Sequence, residues 1–483
     1  MFAIFRRLFG NFLQQLNDPD GAAPQAGDLR RDILRAYRRR LMRGAITGRF
    51  YREAKVARRR YARDKTQKLA RSLKNGSRPM QLPKSVLLGQ FRPSPILDGL
   101  LPGREKQWVH VMKRDHAAAP LEIELKNFSI IEHPRETIRA IKRLAEIAGH
   151  ASTAQLHFDD EYCVDISPYL VLAEVWPAMS YVYRGGRISK AIAKVIEAVR
   201  LRSSLSMRFK DSRDQLDVWA FPLHRRRPSK ISKAIERNLA PQTREKVADG
   251  FCEAVDGWLG ITADLELTDE GKARFANLIG ELLDNAERHS ELTKDGSWSI
   301  VAFMARRTEA GVPVFRCYMG FLSEGASIAE SLGTAADTVT NEVDRHCAKH
   351  HRPGQSRNTL ATLMALQDTI TRDADATAGA RGGIGFQDVL EFVSMIGATE
   401  AIDRAPRLTI VSGSSCIQLK PPYMSGQKAG PHEPRLLWCN PINDPSEPPD
   451  PDFVFDLEDH FAGTIVGLSF ALDSDHLRKS VNA

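Results

Sequence analysis

Three polar residues at four-residue intervals, Glu281, Asn285 and His289, place the strongest constraint on how this chain can fold. On a helix this spacing aligns the three side chains along one face. An apolar row with the same step lies on a neighbouring face and consists of Leu278, Leu282 and Ala286. The sequence therefore predicts an amphipathic helix over Asp269–His289 whose apolar side can pack on a sheet.

The acid and the amide in this row suit a cation that is held against a phosphate. The Glu281 carboxylate could take a proton from a water molecule, and the Asn285 amide oxygen could ligate a hard cation such as Mg²⁺. The same spacing is also typical of the solvated side of a surface helix. The spacing alone leaves both interpretations open.

Composition indicates an ordinary globular chain with one unusual segment. The 483 residues, 42% of them hydrophobic and 27% charged, are enough for two or three domains. The six cysteines are scattered without a Cys-x-x-Cys pair, which favours reduced thiols in the cytoplasm over a disulfide framework. The apolar start, Met1–Leu13, is too short to span a bilayer and has no small-residue cleavage site, so we expect no transmembrane segment.

Residues 29–78 contain 19 Lys or Arg and 3 Asp or Glu, a net charge of +16 that exceeds the +9 of the whole chain, and they follow an N-terminal segment and linker in residues 1–28. Apolar residues keep a helical step through this segment, which predicts two basic helices. Such an arm could neutralise nucleic-acid phosphates, contact an acidic protein partner, or simply be solvated. The candidate phosphate-binding residues are Arg38, Arg39, Arg40, Arg58, Arg59 and Arg60.

A proline-rich linker, residues 79–104, leads into a region of alternating strands and helices, residues 105–224. Strands are predicted at Leu121–Ile131, Ala154–Phe158, Leu205–Phe209 and Asp217–Phe221. The pattern is typical of a small α/β domain. The turn from Asp165 to Pro168 resembles that of the STAS domains of anti-sigma-factor antagonists, which implies that Ser167 could be phosphorylated by a partner kinase. An ordinary helix N-cap explains the same serine.

The last region, residues 229–475, carries a hairpin at Ser297–Arg306 and Val312–Gly320 and a polar section over residues 333–380. Gly382, Gly383 and Gly385 then precede an apolar helix at Val389–Ile396. Glycines at a helix start let backbone N–H groups approach phosphate oxygens. Strands at Leu408–Val411 and Ser415–Leu419 follow, and a final strand begins with Gly463 and Thr464.

This order of features resembles the GHKL ATP-binding superfamily, which includes gyrase, the ninety-kilodalton heat-shock chaperone and the histidine kinases. The resemblance implies that Asn285 ligates Mg²⁺ and that Glu281 activates water in hydrolysing members. The second glycine box would be Gly382, Gly383 and Gly385, and residues 333–380 would form an enlarged ATP lid. His289 and Thr464 would also contact the nucleotide.

One family position differs. The adenine-reading aspartate of the superfamily should precede the glycine that follows the hairpin, and here Ser323 and Glu324 precede Gly325. A serine can hydrogen-bond the adenine amino group but carries no charge, which should cost about 1.5–3 kcal/mol of binding free energy. We therefore expect ATP binding rather than hydrolysis.

Together these features predict an α/β multidomain protein. It would have N-terminal basic helices, a small central STAS-like domain, and a C-terminal GHKL sandwich whose mixed sheet carries helices on one face. The leading hypothesis is a regulatory protein whose bound ATP and Mg²⁺ alter, through the lid, its contact with a protein partner. The resemblance also implies that the protein could act as a homodimer. The alternatives are a nucleic-acid-associated protein with a degenerate nucleotide fold and an anti-sigma-type serine kinase.

Overall fold

In the computed structural model the chain folds as an α/β protein, described for residues 34–35, 37–38, 42, 51–74, 91–109, 114, 119–209, 217–226, 243–289, 296–309, 311–368, 370, 386–397, 402–424, 426–428, 435–473 and 477. The side chains of 51–55, 57, 72–74, 281, 289 and 428 are outside this description. Within these residues, no helix is both long enough and apolar enough to cross a membrane.

The first half of the chain is mainly helical. In chain order, its elements are α1 (Tyr51–Lys74), α2 (Pro95–Leu100), α3 (Arg104–Gln107), β1 (Leu121–Leu125), α4 (Pro134–His150), β2 (Ala154–Phe158), α5 (Ser167–Met179) and α6 (Lys190–Ala198). Strands β1 and β2 pair in parallel. The predicted strand at Leu205–Phe209 is wrong, because this stretch is a series of turns in which Ser206 has a φ of 54°.

The second half is built on one five-stranded sheet. Its elements are β3 (Val218–Arg226), α7 (Arg244–Ala263), α8 (Asp269–His289), β4 (Ser297–Glu309), β5 (Val312–Glu324), α9 (Ile328–Leu332), α10 (Asp337–His350), α11 (Arg357–Met364), α12 (Phe386–Ile396), a 3₁₀ turn (Ile402–Arg404), β6 (Arg407–Leu419), β7 (Gln427–Lys428), β8 (Arg435–Leu436) and β9 (Val454–Leu472). The strand order of the sheet is β3-β4-β5-β9-β6.

The sheet differs from the predicted mixed sheet with helices on one face. All four of its strand pairings are antiparallel. One face packs on α7, α8 and α12, and the other face packs on the residues between β1 and α6. The two strands predicted at Leu408–Val411 and Ser415–Leu419 are one strand, β6, whose pairing register shifts around Gly413 at a φ of 60°.

A pair of glycines lets the central α/β elements approach this second face. Gly320 of β5 and Gly467 of β9 are directly paired across the strands. A Cβ added at Gly320 would lie 3.1 Å from the Ser167 Cα, and one at Gly467 would lie 2.8 Å from the Ser167 Oγ. The start of α5 therefore rests directly on the backbone of the two central strands.

Hydrogen bonds hold the neighbouring turn in the same place. Asp165 is fully buried and accepts hydrogen bonds from the backbone N–H groups of Ile130, Ile131 and Ser167 at 2.7–3.0 Å. Burial raises the pKa of this carboxyl, and the backbone donors oppose that effect. The Ile131 carbonyl in turn accepts from Gln418 Nε2 of β6 at 2.9 Å. These contacts join the 129–131 turn, the start of α5 and the sheet.

The burial of Ser167 bears on its predicted phosphorylation. Its side chain has 0% exposure and lies between the turn and the glycine pair, so a kinase could reach it only if α5 left the sheet. The serine is the first residue of α5 rather than its N-cap, which is Ile166. The STAS-like assignment and the proposed domain borders stay predictions, although β3 extends the C-terminal sheet from within the range predicted for the central domain.

We predict that Gly467→Ala lowers the free energy of unfolding by about 1–3 kcal/mol, because the new methyl group would overpack Ser167 and Ile131. Chemical denaturation with urea measures this change. Gly257→Ala in α7 is the matched control, since a Cβ there meets nothing within 4 Å. Replacing that helical glycine should instead stabilise by roughly 0.5–1 kcal/mol. Equal effects of the two changes would contradict close packing at Gly467.

Candidate functional site

The predicted polar helix exists, and its C-terminal half is attached to one end of the sheet. Helix α8 spans Asp269–His289 as the spacing predicted, and its buried side includes Leu278, Leu283 and Ala286. Near its end, the Glu287 carboxylate accepts a hydrogen bond from Trp298 Nε1 of β4 at 2.8 Å and pairs with Arg226 of β3. Because Glu287 is only 9% exposed, these partners are needed to offset the cost of burying its charge.

Asn285 lies in this anchored half of α8 and is half-buried. Its amide oxygen is 3.5 Å from Nη2 of Arg288, whose Nε pairs with Asp284 at 2.6 Å. Asp284 also pairs with Arg244 at the start of α7. A long contact of this kind is weak, so the amide oxygen could exchange Arg288 for a cation. The side chains of Glu281 and His289 lie outside the described residues.

A row of hydroxyl side chains crosses the sheet at the same end. Trp298, Ser323, Thr464 and Ser412 are successive register partners on β4, β5, β9 and β6. Directly opposite residues of antiparallel strands point to the same face, so the hydroxyls share the face on which Trp298 contacts α8. Ser323 is 5% exposed and Thr464 is 8% exposed. Ser412 Oγ lies 2.7 Å from Thr464 Oγ1 and accepts from the Ile328 N–H at 2.8 Å.

The glycines beside this row have backbone reasons to be glycine. Gly325, just after Ser323 and Glu324, has a φ of 122°, and Gly463 has a φ of 126°. A Cβ at Gly463 would lie 2.2 Å from the Ser323 carbonyl oxygen. The structure therefore brings Ser323, Glu324, Gly325 and Thr464 together at one corner of the sheet. Gly382, Gly383 and Gly385 lie outside the described residues, so their place beside this corner stays a prediction.

Helix α12, which follows those glycines, is firmly held at its start. Arg435 pairs with Asp388 at 2.6 Å and with Asp368 at 2.9 Å, and hydrogen bonding to these acids raises its pKa against the opposing effect of burial. Gln387 donates to the Leu366 carbonyl at 2.8 Å and accepts from the Gly426 N–H. The start of α12 is thus fixed relative to residues 366–368.

The described part of the predicted lid is a folded helical insertion. Helices α10 and α11 share a small core with Leu332 and Trp438. Asp456 of β9 holds the start of α11, because its carboxylate accepts from the Ser356 N–H at 2.9 Å and from the Thr359 hydroxyl at 2.5 Å. Residues 333–368 are therefore anchored to the sheet, and residues 371–385 lie outside the description.

Two histidines of this insertion form an aromatic cluster with Trp438. The His346 ring lies 4.6 Å from the His350 ring and 4.9 Å from the Trp438 ring. His350 Nε2 is 2.9 Å from the Pro445 carbonyl oxygen, so that nitrogen acts as a donor. Among the described residues, no group of three or more His, Cys, Asp or Glu side chains could hold a metal.

Sequence reasoning missed the acids that position the site. The partners of Asp284 and Glu287 lie on α7, β3 and β4, so the spacing of residues along α8 could not reveal them. The place of Ser412 beside Thr464 follows only from the strand order. The one signal in the sequence was Trp298 at the start of β4, because a buried indole N–H needs a hydrogen-bond acceptor.

We predict that acid destabilises the helical insertion through His346. Burial, followed by the nearby His350 and Lys349, lowers the pKa of His346 from 6.5 to about 4. The neutral ring is favoured in the folded state, so its full stabilisation is present above pH 6.5 and is lost as the pH falls towards 4. His346→Phe should keep the ring packing and reduce the drop in Tm between pH 7.5 and pH 5.

Thermal unfolding followed by tryptophan fluorescence measures this drop, and His351→Gln at a neighbouring exposed position is the control. An identical pH dependence in the wild-type and His346→Phe proteins would show that this ring does not sense acid.

Comparisons with protein-family models, curated proteins and solved structures found no match for this chain.

Proposed function

We propose that this protein binds ATP with Mg²⁺ at the corner formed by the end of α8 and the hydroxyl row of the sheet. The observation that carries the proposal is the contact between the end of α8, the helix that contains Asn285, and the strand pair that contains Ser323. Glu287 fixes the helix to Trp298, and Trp298 is the register partner of Ser323. Candidate nucleotide-binding residues that are far apart in sequence, on α8, β5 and β9, thus belong to elements that meet at one end of the sheet.

Each part has a role in this proposal. The Asn285 amide oxygen ligates Mg²⁺ on the phosphates in place of its contact with Arg288. Ser323 and Thr464 contact the adenine from the floor of the site. The loop with Gly382, Gly383 and Gly385 would cover the phosphates with its backbone N–H groups.

The anchored insertion gives this proposal a regulatory form. Asp456 and Thr464 belong to the same strand, so a nucleotide beside Thr464 would lie on the element that holds α11. We propose that bound ATP acts through this strand on the insertion and so changes the surface that is offered to a protein partner. A homodimer, a cytoplasmic location and ATP hydrolysis through Glu281 remain predictions from the sequence.

The serine-kinase hypothesis allowed two substrates, Ser167 of this chain or a separate partner, and the burial of Ser167 argues against the first. Ser167 is fully buried against the glycine pair, so it is not offered to any active site while α5 is packed. Phosphorylation of a separate partner stays an untested prediction.

We predict that isothermal titration of the full chain detects binding of Mg–ATP and that Asn285→Ala weakens it at least tenfold, because the cation loses a ligand. Asn341→Ala on the exposed side of α10 is the matched control and should bind as the wild type does. Binding in EDTA should also be weak and equal for all three proteins. A wild-type protein that binds no nucleotide would end the proposal.

We predict that Ser323→Asp strengthens ATP binding by roughly tenfold or more, since a charged acceptor for the adenine amino group contributes about 1.5–3 kcal/mol. Without nucleotide the same change should lower the Tm, because the site is buried and the new charge has no partner. Thermal shift with and without Mg–ATP separates the two effects. Equal ATP-induced shifts in Ser323→Asp, Ser323→Ala and the wild type would remove Ser323 from the adenine site.

A further inference from the structure

Helix α1 presents a cationic surface that the nucleotide site does not use. It runs over 24 residues, from Tyr51 to Lys74. Its buried line consists of Ala62 and Leu69, which are 0% and 4% exposed. The exposed side chains on the rest of the helix include four arginines and a lysine: Arg59, Arg60, Arg63, Lys68 and Arg71. Between residues 56 and 71 the one acidic side chain is Asp64.

The structure changes which of the basic residues belong to this surface. Arg58, a sequence candidate, is half-buried and has an interaction of its own. Arg59 and Arg60 are exposed, as is Arg38 in the preceding basic segment, whereas Arg39 and Arg40 lie outside the described residues. In the parts of the chain that are described, none of the five exposed cations of α1 forms a salt bridge. The charge is therefore available to a partner.

We propose that this cationic surface of α1, formed by Arg59, Arg60, Arg63, Lys68 and Arg71, binds the phosphodiester backbone of a nucleic acid. From Arg59 to Arg71 the helix rises about 18 Å. Duplex DNA carries one charge per about 1.7 Å of its axis, so a cationic surface of this length meets phosphates wherever the helix docks. An acidic protein would need carboxylates placed to match this one pattern.

The chemistry of the side chains also favours phosphate. Guanidinium groups donate two parallel hydrogen bonds to phosphate oxygens, and four of the five cations are arginines. A helix that lies in a membrane surface needs an apolar side directed towards the lipid. The apolar line of α1 is already buried, and Val56 and Tyr61 are the large apolar side chains that it leaves exposed. The exposed Tyr61, at 53%, could stack on an unpaired base.

The test uses the full chain and fluorescence anisotropy with a labelled 20-base-pair DNA duplex, the same sequence as duplex RNA, and a single strand. The triple variant Arg60→Gln, Arg63→Gln, Arg71→Gln replaces three cations by glutamine, which is a good helix former. The matched control Lys106→Gln, Arg143→Gln, Lys190→Gln removes the same charge from exposed positions elsewhere. Circular dichroism checks that both variants keep the wild-type helix content.

We expect the α1 variant to bind duplex DNA at least tenfold more weakly at 100 mM salt and to lose roughly 2.7 from the slope of log K against log salt. The control should bind as the wild type does, and Mg–ATP titration should be the same in all three proteins. The relative affinities for duplex DNA, duplex RNA and the single strand show which kind of nucleic acid the surface prefers. Equal losses in both variants would overturn the proposal. So would tighter binding to phosphatidylserine vesicles or to polyglutamate than to any nucleic acid.

Discussion

The contact between the start of α5 and the glycine pair of the central strands determines how the rest of this molecule is arranged. Without side chains at Gly320 and Gly467, the backbone of Ser167 can lie against the sheet itself. The carboxylate of Asp165 supplies acceptors for the turn that would otherwise bring backbone N–H groups into an apolar interface unsatisfied. The central α/β elements therefore cover one face of the sheet, while α7, α8 and α12 cover the other.

Coverage of both faces explains why the strands of the sheet have little alternation. Eight consecutive residues of β4, from Trp298 to Ala305, are buried. A sheet that is packed on both sides needs apolar residues at successive positions rather than at every second one. Such a run predicts a strand but gives no sign of what lies on either side. For this reason the sequence pattern could not show that elements of the central region cover one face of the C-terminal sheet.

Local signals were accurate where the structure depends on local interactions. The Asp269–His289 helix, the hairpin of β4 and β5, and the helix that begins at Pro134 all follow from spacing or from a single residue with a strong preference. Predictions failed where a distant partner decides the outcome. The turns at residues 201–209 keep their apolar Leu205 buried without forming a strand, and β3 finds its partner in β4 across residues 227–242 and two helices. Parts of the candidate site were predictable for the same reason: the Asn285 helix is local, whereas the acids that fix it act across the fold.

Strand β9 connects the three features on which function would depend. Asp456 near its start holds the helical insertion, Thr464 lies in the hydroxyl row, and Gly467 receives the start of α5. A strand that is hydrogen-bonded on both sides moves as a unit with its neighbours, so a ligand that shifted Thr464 would act on the insertion and the central elements together. The register of β6 against β9 shifts at Gly413. This shift lies between the pair Ser412–Thr464 and the pair Ser415–Asp456. Such an irregularity releases the two ends of a ladder from strict alignment. The pairing of β6 with β9 at Thr464 is therefore offset from the pairing at Asp456, whereas the pairing of β5 with β9 through Gly467 is continuous.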